Sequence, residues 1–185
     1  MDFRFSEDFL KVLEFSRDEA LRTGWHNICP DHIMLGILRH SDNAACAALE
    51  ALGTDLSLFK QSIDEAIFVS DQIPWDERES INLSPSASSL LKTAAAESES
   101  CRSNFVEPIH YLLALTRIWG SYSHDWLEDH SITQVSILTV ANIDKVPVDA
   151  PPAKAEPPAP DPALMAVAIE KRILEGYTTD NPHVS

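Results

Sequence analysis

Three residues near the start of the chain have side chains that can bind a metal ion. His26, Cys29 and His32 form the pattern His-x-x-Cys-x-x-His, and imidazole and thiolate groups are typical ligands of zinc. A fourth ligand is not evident nearby in the sequence. The alternative is that His32 anchors the beginning of a helix. A small metal-dependent or thiol-dependent protein is therefore the second hypothesis, and we expect no metal and no cofactor.

Two further groups of residues could support nucleophilic catalysis. Cys29 precedes a predicted helix, whose N-terminus can lower the pKa of a thiol, but the sequence offers it no partner base and favours an inert thiol. Ser123, His124 and Asp125 include the residue types of a catalytic triad. Neighbours on one helix face different ways, however, and a triad is defined by its geometry. We therefore expect no catalytic residue and no enzymatic activity.

The elements that position these residues are predicted to be helices, with no convincing strand. Ser6 is a favourable N-cap and Gly24 a favourable C-terminal residue for the first helix. The next helices are predicted after Cys29, from residues 41–43 to near 53, and from 55 to about 68. After a connector at 69–83, whose Trp75 is expected to cover the seam between two halves, helices are predicted from residue 84, at about 107–119, at 121–129 and at 132–142.

An internal repeat relates the two halves of this helical region. Residues 6–50 align with residues 84–128 without a gap, at an offset of 78 residues. The identical pairs are Ser6/Ser84, Leu13/Leu91, Glu19/Glu97, Pro30/Pro108, His32/His110, Leu35/Leu113, Arg39/Arg117, Leu49/Leu127 and Glu50/Glu128. An ungapped repeat predicts two copies of one supersecondary unit packed together. We therefore expect an all-α fold of two pseudo-twofold repeats with about four helices each, and burial of both Leu35 and Leu113.

The composition changes abruptly after this region. We predict a helical domain at residues 1–145 (repeats at about 3–68 and 83–142), a proline-rich spacer at 146–162 and a short amphipathic helix with a tail at 163–185. Proline-rich segments favour an extended polyproline II conformation. The final helix is predicted over Ala163–Glu175, with its apolar residues on one stripe. That stripe contains Leu164, Met165, Ala168, Ile169 and Ile173.

The overall charge narrows the range of partners. The net charge of −15 opposes binding to nucleic acid and to anionic membranes, because both require cationic side chains. No apolar run reaches the length of a membrane span, and the acidic start lacks the pattern of a signal peptide. The three cysteines, Cys29, Cys46 and Cys101, are widely spaced and are expected to be free thiols. These features favour a cytosolic protein.

The two signature helices resemble a known family. Residues 31–38, Asp-His-Ile-Met-Leu-Gly-Ile-Leu, and residues 110–115, His-Tyr-Leu-Leu-Ala-Leu, are similar to the repeats of the N-terminal domain of the Clp ATPases, and the resemblance covers about residues 3–142. It implies a compact bundle of eight helices that receives substrates and adaptors. The chain contains no Gly-x-x-x-x-Gly-Lys-Ser/Thr loop for phosphates. It therefore resembles a free-standing form of the domain, without ATP binding of its own.

The resemblance also implies a function and a set of partners. We expect a non-enzymatic accessory module that docks a Clp-type AAA+ unfoldase, an adaptor or a substrate polypeptide in a shallow apolar groove between the repeats. The expected binding residues at the rim are Asp31, Arg39, Glu107 and Arg117. The sequence, and not the resemblance, adds a docking face of Leu164, Met165, Ile169 and Ile173 in the tail, which binds a partner or the domain's own groove. The alternative is a disordered tail whose apolar residues are incidental. In some family members the acidic residue before each repeat's histidine helps to bind phosphoarginine. Here the first repeat has Asp31, but the second has Ile109.

Overall fold

The computed structural model describes residues 4–69 and 73–144. Eight α-helices account for most of these residues: α1 (Glu7–Thr23), α2 (Pro30–Arg39), α3 (Ala44–Ala51), α4 (Leu56–Ile67), α5 (Pro85–Ser100), α6 (Pro108–Leu115), α7 (Tyr122–Asp129) and α8 (Gln134–Ala141). A 3-10 helix (Trp75–Ser80) connects the two halves. The predicted all-α fold of two four-helix repeats is confirmed.

The ends of the helices follow the local sequence signals. Ser6 and Ser84 are the matched N-caps of α1 and α5, and each hydroxyl accepts a hydrogen bond from a backbone N–H three residues later. Gly24 ends α1 with a positive φ of 86°, a conformation that glycine adopts without a steric penalty. Asp55 similarly caps α4 by accepting hydrogen bonds from two backbone N–H groups.

The two repeats pack against each other along one interface, the seam. Within each repeat the first helix packs along the second, so that α1 contacts α2 and α5 contacts α6. Between the repeats, α2 contacts α7 and α3 contacts α6, while α3 also contacts α8 and α4 contacts α7. Leu35 and Leu113 are both completely buried, as predicted. The two signature helices therefore form the centre of one continuous core.

Two predictions about the elements were wrong, and two very short strands were not predicted. The helix predicted at about 107–119 ends at Leu115. Two short parallel strands, β1 (Asn27–Ile28) and β2 (Asn82–Leu83), pair between the repeats, and two residues are too few to produce an alternating pattern. Trp75 does not cover the seam: it is 66% exposed, and the Arg78 guanidinium lies over its ring at 5.1 Å.

The predicted spacer and C-terminal helix lie outside the described residues, as do their boundaries. Among the residues that the structure does describe, no helix is both long enough and apolar enough to cross a membrane.

Candidate functional site

The two signature histidines serve as helix anchors. His32 and His110 are buried, and Nδ1 of each accepts a hydrogen bond of 2.9 Å from the backbone N–H three residues earlier. Burial lowers the pKa of both imidazoles to about 4. Each ring is therefore neutral at pH 7 and satisfies a donor at the first turn of its helix.

The zinc hypothesis for His26, Cys29 and His32 has no support in this geometry. Nε2 of His32 lies 2.9 Å from the Thr23 hydroxyl, so both of its ring nitrogens are already engaged. His26 is exposed. Within the described part of the chain, the one group of three potential ligands close enough to share an ion lies elsewhere, on α7. Burial raises the pKa of the Cys29 thiol, which opposes the thiolate that a reactive cysteine needs.

The Ser123, His124 and Asp125 cluster does not form a triad either. The Ser123 hydroxyl donates to Asp31 Oδ1 at 2.5 Å, and Nδ1 of His124 lies 2.8 Å from the carbonyl oxygen of Leu115. The serine and the histidine therefore use their polar atoms on different elements. No hydrogen bond between them is found among the described residues, so the arrangement offers no activated nucleophile.

Two of the predicted rim residues form a matched pair of salt bridges. Arg39 Nη1 lies 3.1 Å from Glu19 Oε2, and Arg117 Nη1 lies 2.6 Å from Glu97 Oε2. Both carboxylates are almost fully buried, whereas both arginine side chains are a little over 40% exposed. Each arginine thus joins the end of a signature helix to the first helix of its own repeat, and the sequence repeat preserves both partners.

Asp31 is placed differently from the expectation that it lies at an exposed rim. Its side chain is buried, and its carboxylate accepts hydrogen bonds from the backbone N–H groups of Tyr122 and Ser123 as well as from the Ser123 hydroxyl. Asp31 therefore caps α7 across the seam. Ile109 occupies the equivalent position in the second repeat and has no polar side-chain atom. The second repeat therefore cannot cap a helix of the first repeat from this position.

The second repeat adds another polar link across the seam. Tyr111 is fully buried, and its hydroxyl donates to the carbonyl oxygen of Pro30 at 2.9 Å.

Glu107, the N-cap of α6, remains partly exposed. Of the four predicted rim residues, only Arg39, Glu107 and Arg117 therefore reach the surface.

The aromatic residues Trp119, Tyr122 and Trp126 do not share one helix face. Trp126 is buried and stacks between Phe59 and His130, with ring centroids 4.8 and 4.0 Å away. Trp126 is therefore part of the core. Trp119 lies before α7 and is 74% exposed, because α6 ends before reaching it.

A partly apolar surface that the sequence analysis did not select lies on α8. Ile137 is the one buried residue of this helix, although most of its side chains are apolar, and Val135 is 71% exposed. A concavity of about 290 Å³ is lined by Val135, Leu138, Thr139, Asn142, Ile143 and Asp144. We call these six residues the α8 groove.

The sequence contained a signal for the α8 groove. Apolar residues occur on all sides of α8 instead of on one stripe, and a helix of that kind is normally enclosed on all sides. A second concavity of about 340 Å³ borders Arg4, Ser98, Glu99 and Ser103. Ala95, Asn104 and Val106 also line it, so both concavities have mixed polar and apolar linings.

The comparisons with known proteins agree on one domain type. Residues 4–130 match the family model of the Clp repeat (R) N-terminal domain. The chain is 33% identical over 114 residues to the chaperone protein ClpB of Oceanobacillus iheyensis, and 31% identical over 114 residues to the negative regulator of genetic competence ClpC/MecB of Bacillus subtilis. Each match covers 62% of this chain but only 14% of the relative.

Solved structures are similar in fold at low sequence identity. The Hsp104 N-terminal domain from Candida albicans gives a TM-score of 0.58 at 16% identity, covering 75% of this chain and 89% of that one. The N-terminal domain of the chaperone ClpD from Arabidopsis thaliana gives 0.58 at 16% identity, covering 77% and 95%. The fold of the described residues is therefore similar to that of these isolated N-terminal domains.

Proposed function

The chain belongs to the Clp repeat (R) N-terminal domain family, and we propose that it is a non-enzymatic protein-interaction module that serves a Clp-type AAA+ unfoldase. In this proposal it docks a segment of a substrate or adaptor polypeptide. The chain spans only 14% of the length of the two relatives described above, so the partner is inferred from the family together with the surface of this domain.

The α8 groove is the observation that carries the proposal. Its lining combines three apolar residues with the polar Thr139 and Asn142 and the acidic Asp144, in a chain with a net charge of −15. An apolar segment flanked by Lys or Arg is complementary to such a surface, because apolar burial supplies affinity while the charges favour the encounter. The proposed occupant is therefore a basic amphipathic segment of a partner polypeptide.

The predicted rim and tail residues have separate roles in this proposal. Arg39, Glu107 and Arg117 are surface groups whose contribution to binding is secondary, since both arginines already pair with buried carboxylates. Leu164, Met165, Ile169 and Ile173 form a second docking element beyond the spacer. The predicted spacer of 17 residues would reach about 50 Å if it were fully extended at about 3.1 Å per residue, which would let one chain contact two points on a large partner.

The proposal also includes a location in the cell and the expectation that the chain does not bind ATP by itself. The three cysteines are free thiols, which suits a reducing compartment, and we place the protein in the cytosol. We expect the purified chain alone to bind no ATP, which calorimetry with nucleotide would check.

The tail contribution is tested by a pair of substitutions in the full chain. Ile169→Asp places a charge on the stripe that the sequence predicts to be apolar, and Glu170→Asp places the same side chain on the face predicted to be polar. We expect Ile169→Asp to reduce co-purification with a Clp-type ATPase from the same cell at least fivefold, and Glu170→Asp to leave it unchanged. Unchanged co-purification with increased binding of a hydrophobic dye would instead mean that the helix docks on its own domain. If neither quantity changes, the helix has no docking role.

A further inference from the structure

Two buried polar atoms on α7, Nε2 of His124 and Nε1 of Trp126, have no hydrogen-bond partner among the described residues, and the first of them is the one that can bind an ion. His124 is 2% exposed, and its Nε2 has no hydrogen-bond partner among the described residues. Its other ring nitrogen, Nδ1, lies 2.8 Å from the Leu115 carbonyl oxygen. A carbonyl only accepts hydrogen bonds, so Nδ1 carries a proton and donates it. In the neutral ring, Nε2 therefore presents a lone pair.

Two carboxylates lie beside this lone pair. Glu128 Oε2 is 3.8 Å from His124 Nε2, which is too long for a hydrogen bond. Asp125 supplies the third group, and one ligand atom from each of His124, Asp125 and Glu128 lies within 4.8 Å of the others. Both acidic residues are exposed, so their side chains can adjust while the histidine stays fixed by its surroundings.

The distance between His124 and Glu128 suits a single bound ion, and the exposed Asp125 side chain would move closer to join them. Zinc binds an imidazole nitrogen and a carboxylate oxygen at about 2.0–2.2 Å, so two atoms that share it lie roughly 3–4 Å apart. The separation of 3.8 Å between Nε2 and Oε2 falls in this range. Metal-binding histidines commonly donate their other ring N–H to a backbone carbonyl, which fixes the orientation of the ring. The Leu115 carbonyl is placed to do this for His124.

We propose that His124, Asp125 and Glu128 form a binding site for a divalent transition-metal ion of the zinc type. An imidazole ligand favours zinc, nickel or copper over magnesium or calcium, which prefer oxygen ligands alone. Three protein ligands from one helical turn leave a coordination position for water or for a ligand from a partner. This site is distinct from the His26, Cys29 and His32 pattern and does not depend on the proposed function.

The first repeat supplies a natural comparison. At the same offset of 78 residues, the positions of His124, Asp125 and Glu128 are occupied in α3 by Cys46, Ala47 and Glu50. Cys46 is buried, and burial raises its pKa to about 12. The site is therefore a property of the second repeat alone, and Glu50→Gln is a matched control for Glu128→Gln.

A natural reporter lies beside the proposed site. The ring centroids of Trp119 and His124 are 5.3 Å apart, and Trp119 is exposed. Bound Ni²⁺ or Cu²⁺ quenches the fluorescence of a nearby indole. We therefore expect quenching on titration of Ni²⁺ into tag-free, full-length protein, and loss of most of that quenching in Trp119→Phe.

The affinity measurements test the site directly. Isothermal titration calorimetry with Zn²⁺ should give one site per chain, with unchanged affinity in Glu50→Gln. Loss of an outer-shell partner commonly weakens metal binding 10–100-fold, and we expect the loss of a ligand in Glu128→Gln or Asp125→Asn to weaken it by at least about tenfold. Both substitutions are at exposed positions, so circular dichroism should remain that of the wild type. Absence of a single zinc site, or equal affinities in the wild type and in both variants, would overturn the proposal.

Nuclear magnetic resonance separates a bound ion from a simple ion pair between His124 and Glu128. If zinc binds, the nitrogen resonance of His124 Nε2 shifts on adding zinc while Nδ1 keeps its proton. If Nε2 shows a bound proton and does not respond to zinc, the atom belongs to an imidazolium paired with Glu128, and the site does not exist.

Discussion

Arg39 and Arg117 occupy matched positions, but their removal has different consequences. Without Arg39, Glu19 keeps a second guanidinium, that of Arg22, whose Nη2 lies 2.5 Å from Oε1. Without Arg117, Glu97 keeps a longer contact to the Gln134 amide at 3.4 Å. Loss of a cation beside a buried carboxylate is costly, although the partial exposure of the arginines reduces the effect.

We therefore predict that Arg117→Ala destabilises the fold by about 1–3 kcal/mol, and that Arg39→Ala costs less than about 1 kcal/mol. Urea unfolding of both variants measures the difference. Equal losses would show that Arg22 does not compensate for Arg39.

The signature histidines predict how stability depends on pH. The unfolded chain binds protons on both imidazoles as the pH falls through about 6.5, whereas the folded chain keeps His32 and His110 neutral down to about pH 4. Their contribution to stability is therefore complete above about pH 6.5 and is lost as the pH falls towards 4. Burial is the main cause at both residues.

We expect the free energy of unfolding to fall between about pH 7.5 and about pH 5, by on the order of 2 kcal/mol for each histidine. His110→Asn keeps an acceptor near the Glu107 N–H but removes one titrating group, so it should show a smaller pH effect than the wild type. An identical pH dependence in the variant would mean that folding does not change the protonation of His110.

At the scale of elements, the separation of α1 and α2 is set by a glycine. A Cβ atom at Gly36 would lie 2.5 Å from the Val12 carbonyl oxygen and 2.6 Å from the Ser16 hydroxyl. The matched residue of the second repeat is Ala114, which is completely buried. The matched helix pair of the second repeat, α5 and α6, therefore accommodates a Cβ atom at this position, whereas α1 and α2 do not.

Gly36→Ala should destabilise the protein by about 1–3 kcal/mol through overpacking, even though alanine is favoured over glycine in a helix by about 1 kcal/mol. The reverse change, Ala114→Gly, should cost about 1 kcal/mol or more, because it loses helix propensity and leaves a small void. Thermal unfolding checks both variants. A stabilised Gly36→Ala variant would show that α1 and α2 can separate without loss.

At the scale of the whole molecule, the sequence predicted the repeats but not the surface. The ungapped match of His32 with His110 and of Leu35 with Leu113 is sufficient to predict the two-repeat fold, because core positions must match when two copies pack alike. The repeat showed that Glu19 matches Glu97 and that Arg39 matches Arg117. It did not show that the glutamate and the arginine of each repeat form a salt bridge. Spacing along a sequence does not reveal contacts between two helices.

The candidate site was harder to predict for a related reason. An apolar residue such as Val135 has the same sequence signal whether it lies in the core or on the surface. Asp31 was expected at the rim because it flanks the first repeat signature, but three hydrogen-bond donors of Tyr122 and Ser123 on α7 compensate for its burial. Exposure is set by the packing of the repeats, and it therefore becomes known only when the fold is known.

The most direct test of the proposed function measures binding of a defined peptide to the α8 groove. A labelled amphipathic peptide rich in Leu and Arg is titrated at about 0.15 M salt, where the Debye length of about 8 Å limits non-specific attraction. The variant Val135→Asp alters the groove, and Ser57→Asp makes the same charge change at the matched position of α4. Fluorescence anisotropy reports the affinity.

We predict that the wild type and Ser57→Asp bind this peptide equally, and that Val135→Asp binds it at least tenfold more weakly although its added charge is attractive to arginine. A peptide in which Glu replaces Arg should also bind more weakly to the wild type. If Val135→Asp binds the Leu and Arg peptide as tightly as the wild type does, the α8 groove is not the docking site.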